Sequence, residues 1–470
     1  MLPVPLGRHG GVTLQEQIYR YIRGGIIDGT LAAGAKLPST RDLAAALGVS
    51  RNTVVLAYDW LVAEGYVQSR SGTGSFVAHL AVPPSMEPAV PAVTPRPTAA
   101  APRLAYDFWY GRSDRRLFPA RVWRALALEA LGACAHGLTE YGETGGDPVL
   151  RRAIAAHLAV TRGIRAGVEQ IIVTTGAQEA LNLAARLLVT TGTAVAVEDP
   201  GYDAAARVFE THGATVHPAP IDGDGLDPAG LHGIRPRLVY VTPSHQFPTG
   251  AVMSLERRHA LLAQCARHGG IIIEDDYDGE IVFHHPPIAA LAAIDRLERT
   301  VYIGSFSKAI GSGLRLGYVV VPATLAAAAQ AVKGLMSYGQ SWLDQQILAA
   351  FLDSGRYERH LRRLRVAYRA RRDATAAALR AHFGPGLSIS GTGAGLHLYA
   401  TLPPDGPDAE AVAARARAVG VGLYPAAVAG ARAVTVDASR SLVVGFAALT
   451  PGEIAKGFAR LEPAGRPAPA

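Results

Sequence analysis

The segments Ile271-Ile-Ile-Glu-Asp-Asp-Tyr277 and Tyr302-Ile-Gly-Ser-Phe-Ser-Lys308 decide the fold of most of this chain. Each is a short run of mainly β-branched residues that ends in polar side chains. Similar runs, separated by helical patterns, begin at Ile171, Ala194, Leu238 and Tyr318. Apolar strands that alternate with helices are typical of a buried, largely parallel sheet. The sequence therefore predicts an α/β domain over residues 105–462.

The composition is that of an ordinary globular protein. The chain has 470 residues, of which 49% are hydrophobic and 18% charged, enough for two or three domains. The net charge of +7 permits a polyanionic partner but does not require one. Two cysteines, Cys134 and Cys265, argue against a disulfide scaffold and favour a cytoplasmic protein. Because there is no signal-peptide pattern and no run of about 18 apolar residues, we expect no membrane span.

Residues 12–78 predict a separate winged helix-turn-helix domain. Helical patterns with capping residues cover 13–27, 39–48 and 50–65. Two short strands around a glycine-rich tip follow at 66–77. In a helix-turn-helix the second helix enters the major groove of DNA, and its first residues reach the base edges. The candidate DNA-binding residues are Arg41, Ser50, Arg51, Asn52, Thr53, Gly72 and Gly74.

Three short motifs in this domain resemble the GntR class of winged-helix regulators. They are Leu37-Pro-Ser-Thr-Arg-Asp-Leu-Ala, Gly-Val-Ser-Arg-Asn-Thr-Val and Gly-Thr-Gly-Ser-Phe-Val, in that order. The resemblance implies binding to double-stranded DNA. The alternative is a winged helix that binds another protein, and the nearly balanced charge of residues 1–80 does not separate the two.

Between the two predicted domains lies a proline-rich segment. Seven prolines occur in residues 79–104, a composition that favours an extended linker. The last residues, 463–470, are predicted to be a disordered tail.

The polar ends of the predicted strands resemble the cofactor site of fold-type I pyridoxal-phosphate (PLP) proteins, the aspartate-aminotransferase type. PLP requires a lysine for its Schiff base, a carboxylate for the pyridine nitrogen and donors for its phosphate. The resemblance implies that Lys308 forms the Schiff base, Asp275 pairs with the pyridine nitrogen and Tyr277 contacts the ring oxygen. It assigns the phosphate to Ser305, Arg315 and the turn with Gly176, Ala177 and Gln178, and stacking on the ring to Tyr202; Ser307 is also a candidate cofactor-binding residue.

Tyr141 matches a segment that reaches the phosphate of the partner subunit in that family, which implies a homodimer. Taken singly, each of these residues also has a purely structural interpretation. Their order along the chain favours PLP binding, and we predict no metal site.

The whole chain resembles the MocR-type regulators, which join a GntR-like winged helix to an aminotransferase-like domain. Two departures from aminotransferases stand out. Phe247 occupies the place of an asparagine that contacts the ring oxygen, so Tyr277 must make that contact, helped by His245 or Gln246. The strand 442–446 lacks the arginine that clamps a substrate carboxylate, and Arg432 or Arg440 are the candidate replacements.

These features predict a PLP-dependent transcriptional regulator rather than an enzyme. The aminotransferase-like domain would sense PLP or an adduct of PLP with an amine, and control of vitamin B6 metabolism is one possible role. The alternatives are an active aminotransferase with an appended DNA-binding domain and a domain used only for dimerisation. The arginines of residues 356–372 are either a solvated helix face or a surface for DNA.

Overall fold

The structure is a computed structural model that describes residues 4–7, 12–79, 104–133, 135–283, 289–296 and 298–461. The chain divides into two compact units, residues 1–100 and 101–470. Apart from its two end residues, the predicted linker lies outside the described residues, as does the predicted tail. Within the described residues, no helix combines the length and the apolar character that a membrane crossing needs.

The first unit is a winged helix-turn-helix, as predicted. Its elements are α1 (Leu14–Ile27), α2 (Thr40–Leu47), α3 (Arg51–Ala63), β1 (Val67–Arg70) and β2 (Gly74–Val77). Helices α2 and α3 begin where the sequence predicts, because Ser39 and Ser50 accept hydrogen bonds from the backbone of their first turns. Gly48 ends α2 in the left-handed conformation.

The second unit contains the predicted α/β sheet and a smaller C-terminal part. Its elements up to the end of the large sheet are β3 (Tyr106–Asp107), α4 (Ala120–Ala133), α5 (Pro148–Thr161), β4 (Ile171–Thr174), α6 (Ala177–Leu188), β5 (Ala194–Asp199), β6 (Gly201–Tyr202), α7 (Asp203–Thr211), β7 (Thr215–Asp222), β8 (Gly225–Leu226), β9 (Leu238–Val241), α8 (Leu255–His268), β10 (Ile271–Asp276), α9 (Leu291–Ile294), β11 (Thr300–Ser305) and β12 (Gly317–Val320).

The remaining elements form the C-terminal part. They are α10 (Ala326–Ser337), α11 (Trp342–Asp353), α12 (Arg356–Phe383), β13 (Ser388–Ser390), β14 (His397–Thr401), α13 (Ala409–Ala418), β15 (Val421–Gly422), β16 (Ala431–Arg432), β17 (Ser441–Gly445) and α14 (Pro451–Phe458). Strands β13, β14 and β17 pair antiparallel in a small sheet.

The large sheet has the strand order β4-β12-β11-β10-β9-β5-β7-β8. Only β12 and β8 run antiparallel to their neighbours, so the prediction of a largely parallel sheet is confirmed. Apolar clusters cover both of its faces, as a parallel sheet requires. Since β4, β5, β9, β10 and β11 are parallel to one another, their carboxyl ends lie at one edge. Ligands of open α/β sheets bind at such an edge.

The arginine-rich segment begins the longest helix, α12, and it is only partly a solvated face. Arg371 and Arg372 are buried, and Arg371 Nη2 lies 2.7 Å from Asp114 Oδ2. Arg365 Nε donates to the backbone oxygen of Glu280 at 2.9 Å. These arginines therefore hold α12 against the rest of its unit, whereas Arg359, Arg362 and Arg363 are exposed.

Candidate functional site

A pocket of about 180 Å³ lies at the carboxyl edge of the parallel strands. Segments that follow β4, β5, β9, β10 and β11 contribute to it, together with Tyr110 from the loop after β3. Its lining residues are Tyr110, Ala177, Gln178, Tyr202, Tyr240, Thr242, Phe247, Asp275, Tyr277, Ser305, Ser307, Lys308, Ser312 and Arg315. The structure thus brings together all of the candidate cofactor residues except Gly176, which borders the pocket, and Tyr141.

Lys308 projects into this pocket three residues after the end of β11. Burial lowers the pKa of its amine, and the negative charges of Asp278 and Asp275 act in the opposite direction. A lysine with a lowered pKa carries more of the neutral, nucleophilic amine at a given pH. A Cβ at Gly111 would lie 3.9 Å from the Lys308 Nζ, so the chain after β3 closes over the amine.

Asp275 lies at the end of β10 and is buried. Its Oδ2 accepts a 2.8 Å hydrogen bond from the hydroxyl of Tyr240, which also has no contact with bulk solvent. Among the described residues, its Oδ1 has no hydrogen-bond partner. Burial raises the pKa of this carboxyl to about 7, although the Tyr240 hydroxyl acts to lower it. An unpartnered buried carboxylate oxygen in a pocket is ready to accept from a cationic donor.

One end of the pocket brings together the start of a helix, an arginine and two serines. The twelve-residue helix α6 begins at Ala177, directly after Gly176. Arg315 adopts a left-handed backbone conformation, with φ of 52°, which is costly for a residue with a side chain. Its guanidinium lies so close to Gly176 that a Cβ there would be 3.3 Å from Nη2. Helix amides, a guanidinium and the hydroxyls of Ser305 and Ser307 together suit a phosphate group.

The region around Phe247 contains the residues expected to take the place of the missing asparagine. Phe247 lines the pocket, and the hydroxyl of Tyr277 lies 3.1 Å from Nδ1 of His245. Gln246 instead turns away, and its amide donates to the backbone oxygen of Pro200 at 2.8 Å and also faces Glu198. Burial raises the pKa of Glu198 to about 7. Of the two helpers expected for Tyr277, only His245 is therefore in contact with it.

Tyr202 and Tyr141 have very different surroundings. The Tyr202 hydroxyl accepts a 3.0 Å hydrogen bond from the Gln178 amide inside the pocket. Tyr141 is 87% exposed and lies outside the pocket, with its ring centroid 5.2 Å from that of Tyr338. Within one chain, Tyr141 thus has no contact with the other candidate residues of the described pocket.

Neither candidate for a carboxylate clamp lies in the pocket. Arg440 donates to the backbone oxygens of Pro403 and Gly406, and Arg432 Nη1 lies 2.8 Å from Glu210 Oε1. Among the described residues that line the pocket, Arg315 is the only arginine. The expectation that Arg432 or Arg440 replaces the clamp therefore finds no support in the positions of these side chains.

Sequence reasoning missed several pocket residues, of which Tyr240 is the most important. Tyr240 pairs in register with Ile273, whose side chain shares a face of β10 with Asp275. This relation becomes visible only when the register of the two strands is known. A hydroxyl within the otherwise aliphatic run 238–241 was the one available signal. Tyr110, Thr242 and Ser312 were also missed, because loops bring them to the edge.

The first unit presents its candidate residues on an exposed surface. Arg41, Arg51, Asn52, Gly72 and Gly74 are exposed, which leaves them accessible to DNA. Ser50 Oγ and Thr53 Oγ1 lie 2.7 Å apart, and Ser50 Oγ accepts from the Thr53 amide. The Ser50 hydroxyl thus caps the N-terminus of α3, with the Thr53 hydroxyl beside it.

Two family models match the chain. Residues 14–77 match the description "Bacterial regulatory proteins, gntR family", and residues 112–461 match "Aminotransferase class I and II". Among solved structures, a kynurenine aminotransferase from Pyrococcus horikoshii is similar with a TM-score of 0.68 and 26% identity. The similarity covers 77% of this chain and 90% of that one, and the structure contains PMP.

Two regulators are similar over most of the chain. The probable rhizopine catabolism regulatory protein MocR of Rhizobium meliloti is 37% identical over 84% of this chain and 83% of its own length. The pyridoxine biosynthesis transcriptional regulator PdxR of Corynebacterium glutamicum is 35% identical over 79% of this chain and 80% of its own. The chain therefore belongs to the MocR-type family of transcriptional regulators, in which a GntR-type winged helix precedes an aminotransferase class I and II domain.

Proposed function

We propose that this protein binds PLP in the pocket at the sheet edge and alters its action on DNA when PLP, or an amine that reacts with it, is present. The observation that carries the proposal is the unpartnered Oδ1 of Asp275, buried in a pocket that also holds Lys308 and Arg315. The pyridine nitrogen of PLP, once protonated, supplies the donor that this oxygen lacks.

The residues present fit the three chemical ends of PLP. Arg315, the start of α6 and the serines before Lys308 would hold the phosphate, and the narrow approach of Gly176 to Arg315 supports this role. Lys308 would bind the aldehyde carbon covalently, Asp275 would hold a proton on the pyridine nitrogen, and Tyr202 would cover the ring. PLP, when bound, supplies an electrophilic carbon and an electron sink for amines.

The same pocket argues against efficient transamination. Binding and orienting an amino-acid carboxylate requires a bidentate partner, and Arg315 is already placed beside Gly176. The lining opposite is aromatic, with Tyr110, Tyr202, Phe247 and Tyr277. We therefore favour an effector without a carboxylate, including PLP itself. PdxR, 35% identical to this chain, is named for pyridoxine biosynthesis, which favours vitamin B6 genes as targets.

An active aminotransferase is the second candidate, since Lys308, Asp275 and Tyr240 are arranged as PLP chemistry needs. Multiple turnovers with any pair of an amino acid and a keto acid would establish it. We expect at most a single half-reaction with PLP-loaded protein.

The test combines cofactor trapping with a gel shift on the upstream region of the gene. We expect borohydride to fix PLP to Lys308 and PLP to change the affinity for DNA. Lys308→Ala should abolish trapping and the PLP response while basal DNA binding remains. Trapping at another lysine, or DNA binding that ignores both PLP and amines, would contradict the proposal.

We also propose that the protein acts as a homodimer. Tyr141 and Tyr338 form an exposed aromatic pair, and adjoining exposed apolar groups can mark a surface that contacts another chain. In a dimer, Tyr141 of each subunit would reach the phosphate end of the other subunit's pocket, and two winged helices would read two half-sites.

A further inference from the structure

Three buried side chains lie behind Tyr277 and outside the lining of the pocket: His245, Asp278 and His397. The side chain of His245 is completely buried and that of Asp278 is 2% exposed. Of the three, only His245 has been described so far, as the expected helper of Tyr277, and Asp278 and His397 have no role yet. Its position against Tyr277 suggests that it controls what the Tyr277 hydroxyl can do.

The hydrogen bonds of the group determine which nitrogen of His245 carries a proton. His245 Nδ1 lies 2.9 Å from Asp278 Oδ2 and 3.1 Å from the Tyr277 hydroxyl. An ionised carboxylate only accepts hydrogen bonds, so Nδ1 must carry the proton. Among the described residues, His245 Nε2 has no partner. A proton on Nε2 would therefore be a buried donor without an acceptor, which is costly.

Glycines fix the orientation of the His245 ring. A Cβ at Gly395 would lie 2.3 Å from His245 Cε1 and 2.5 Å from Asp278 Oδ2. A Cβ at Gly250 would lie 2.9 Å from His245 Nε2. Both glycines have a positive φ, 75° and 71°, so a side chain there would be strained as well as crowded. The backbone thus packs directly on the ring and leaves Nδ1 facing Asp278 and Tyr277.

The third member of the group adds no charge. His397 Nε2 lies 3.0 Å from the backbone oxygen of Pro248, which can only accept, so this nitrogen carries the proton. Burial, and then the neighbouring His245, lower the pKa of His397 to about 3. The charged groups that face Tyr277 and Lys308 are therefore Asp278 and Asp275.

We propose that Asp278 and His245 are positioning residues that make Tyr277 a hydrogen-bond donor toward the pocket. The single Nδ1 proton of His245 is shared between Asp278 Oδ2 and the Tyr277 oxygen, so Nδ1 cannot accept the tyrosine proton, and His245 competes with Tyr277 for Asp278, the alternative acceptor of the tyrosine proton. That proton is then available to the ring oxygen of PLP, where Phe247 cannot donate. This inference rests on the proposed binding of PLP.

The readout is the pH midpoint at which the absorbance of the bound cofactor changes. A hydroxyl that donates to the ring oxygen stabilises negative charge there and so lowers this midpoint. We expect Tyr277→Phe to raise the midpoint by about one pH unit, a tenfold change, since hydrogen bonds to charged groups have about that strength. His245→Leu should also raise the midpoint, without changing any charge in the folded protein.

Two further comparisons separate positioning from a purely structural role. His245→Gln, whose amide can still donate, should keep the midpoint near that of the unmodified protein, and so should the control His397→Gln. In a Tyr277→Phe background, His245→Leu should cause no additional shift, because its effect acts through the tyrosine hydroxyl.

Asp278→Asn provides a second, independent variant. Loss of its charge lowers the midpoint, whereas loss of the His245 tautomer raises it. We therefore expect Asp278→Asn to shift the absorbance midpoint to a more positive value when Tyr277 is present than when it is replaced in the Tyr277→Phe background.

Equal midpoint shifts in both backgrounds would overturn the inference. A His245→Leu protein that holds PLP and has an unchanged midpoint would also overturn it. If borohydride traps no PLP in the unmodified protein, the proposed function fails instead.

Discussion

At the scale of single residues, Asp275 illustrates how a functional group can oppose stability. It is buried with one oxygen unpartnered, and burial raises the pKa of its carboxyl to about 7. In the unfolded chain an aspartate titrates near 3.9. Between roughly pH 4 and 7 the folded protein therefore binds more protons than the unfolded chain, and its stability without PLP falls as the pH rises.

The raised pKa of Asp275 leads to a prediction for Asp275→Asn. Between pH 5.5 and 8, the unmodified protein without PLP should lose about 2 kcal/mol of unfolding free energy relative to the variant, as the linkage relation requires. Glu198, whose pKa burial also raises, is present in both proteins and largely cancels in the comparison, because the charge of Asp275 is the smallest of the named influences on it. Urea unfolding at the two pH values measures the difference. A difference that does not change with pH would contradict the prediction.

With PLP added at pH 8, Asp275 should instead contribute favourably to the stability of the protein. The carboxylate of the unmodified protein would pair with the pyridine nitrogen, so PLP should stabilise it more than it stabilises Asp275→Asn. Equal stabilisation of the two proteins would show that Asp275 does not contact the cofactor.

At the scale of elements, the helix α3 and the wing are the proposed DNA-contacting parts of the first unit. Arg51 is exposed at the start of α3, and its Nε lies 3.5 Å from Thr40 Oγ1 of α2. Arg20 on α1 is also exposed and pairs with Glu16 at 2.6 Å. Arg20 is therefore a suitable control for Arg51: both are exposed arginines, but only Arg51 lies on the helix proposed to read DNA.

We expect Arg51→Ala to weaken specific DNA binding by roughly tenfold or more, since one good base contact contributes about 1–3 kcal/mol. Arg20→Ala should have little effect, and PLP trapping should be unchanged in both variants. Gel shifts at two salt concentrations with specific and unrelated DNA would measure this. Equal loss in both variants would indicate attraction by charge alone, without readout by α3.

The sheet itself shows which elements could be predicted from sequence. The strands β4, β5, β9, β10, β11 and β12 coincide with the β-branched runs. Strand β7 was not predicted, because Pro218 and Pro220 interrupt its sequence and proline disfavours strand interiors. It forms because β5 provides six parallel partners, and only the two-residue strand β8 lies beyond it. Tertiary pairing here overrides local preference.

At the scale of the whole molecule, the proposed dimer makes the cofactor site a shared one. Tyr141 lies outside the pocket of its own chain, so its proposed contact exists only between subunits. We expect Tyr141→Ala to weaken PLP binding, and Lys308→Ala to abolish trapping. Co-expressed, the two variants should form some mixed dimers with one intact site, and PLP trapping should reappear in those.

The measurement is borohydride trapping in mixed dimers purified through two different affinity tags. Recovery of tight PLP binding at one site per mixed dimer supports a shared site. Mixed dimers in which trapping stays as weak as in Tyr141→Ala alone would show that Tyr141 does not act across subunits. A monomer at the concentrations used would contradict the dimer itself.

The sequence alone determined the two kinds of domain, the helices of the first unit, the main strands of the large sheet and most of the residues around the pocket. These follow from local signals: capping serines, glycines that end helices, β-branched runs, and the polar residues that follow them. Such signals depend on neighbours in the chain and therefore survive without a three-dimensional structure.

Only the tertiary structure decided which of these residues act together. The Tyr240–Asp275 hydrogen bond, the Gly176–Arg315 approach and the group of His245, Asp278 and Tyr277 each join segments more than 30 residues apart. It also separated Arg432 and Arg440 from the pocket and buried Arg371 against Asp114. Strand register, loop paths and burial set these contacts, and none of them is encoded by local periodicity.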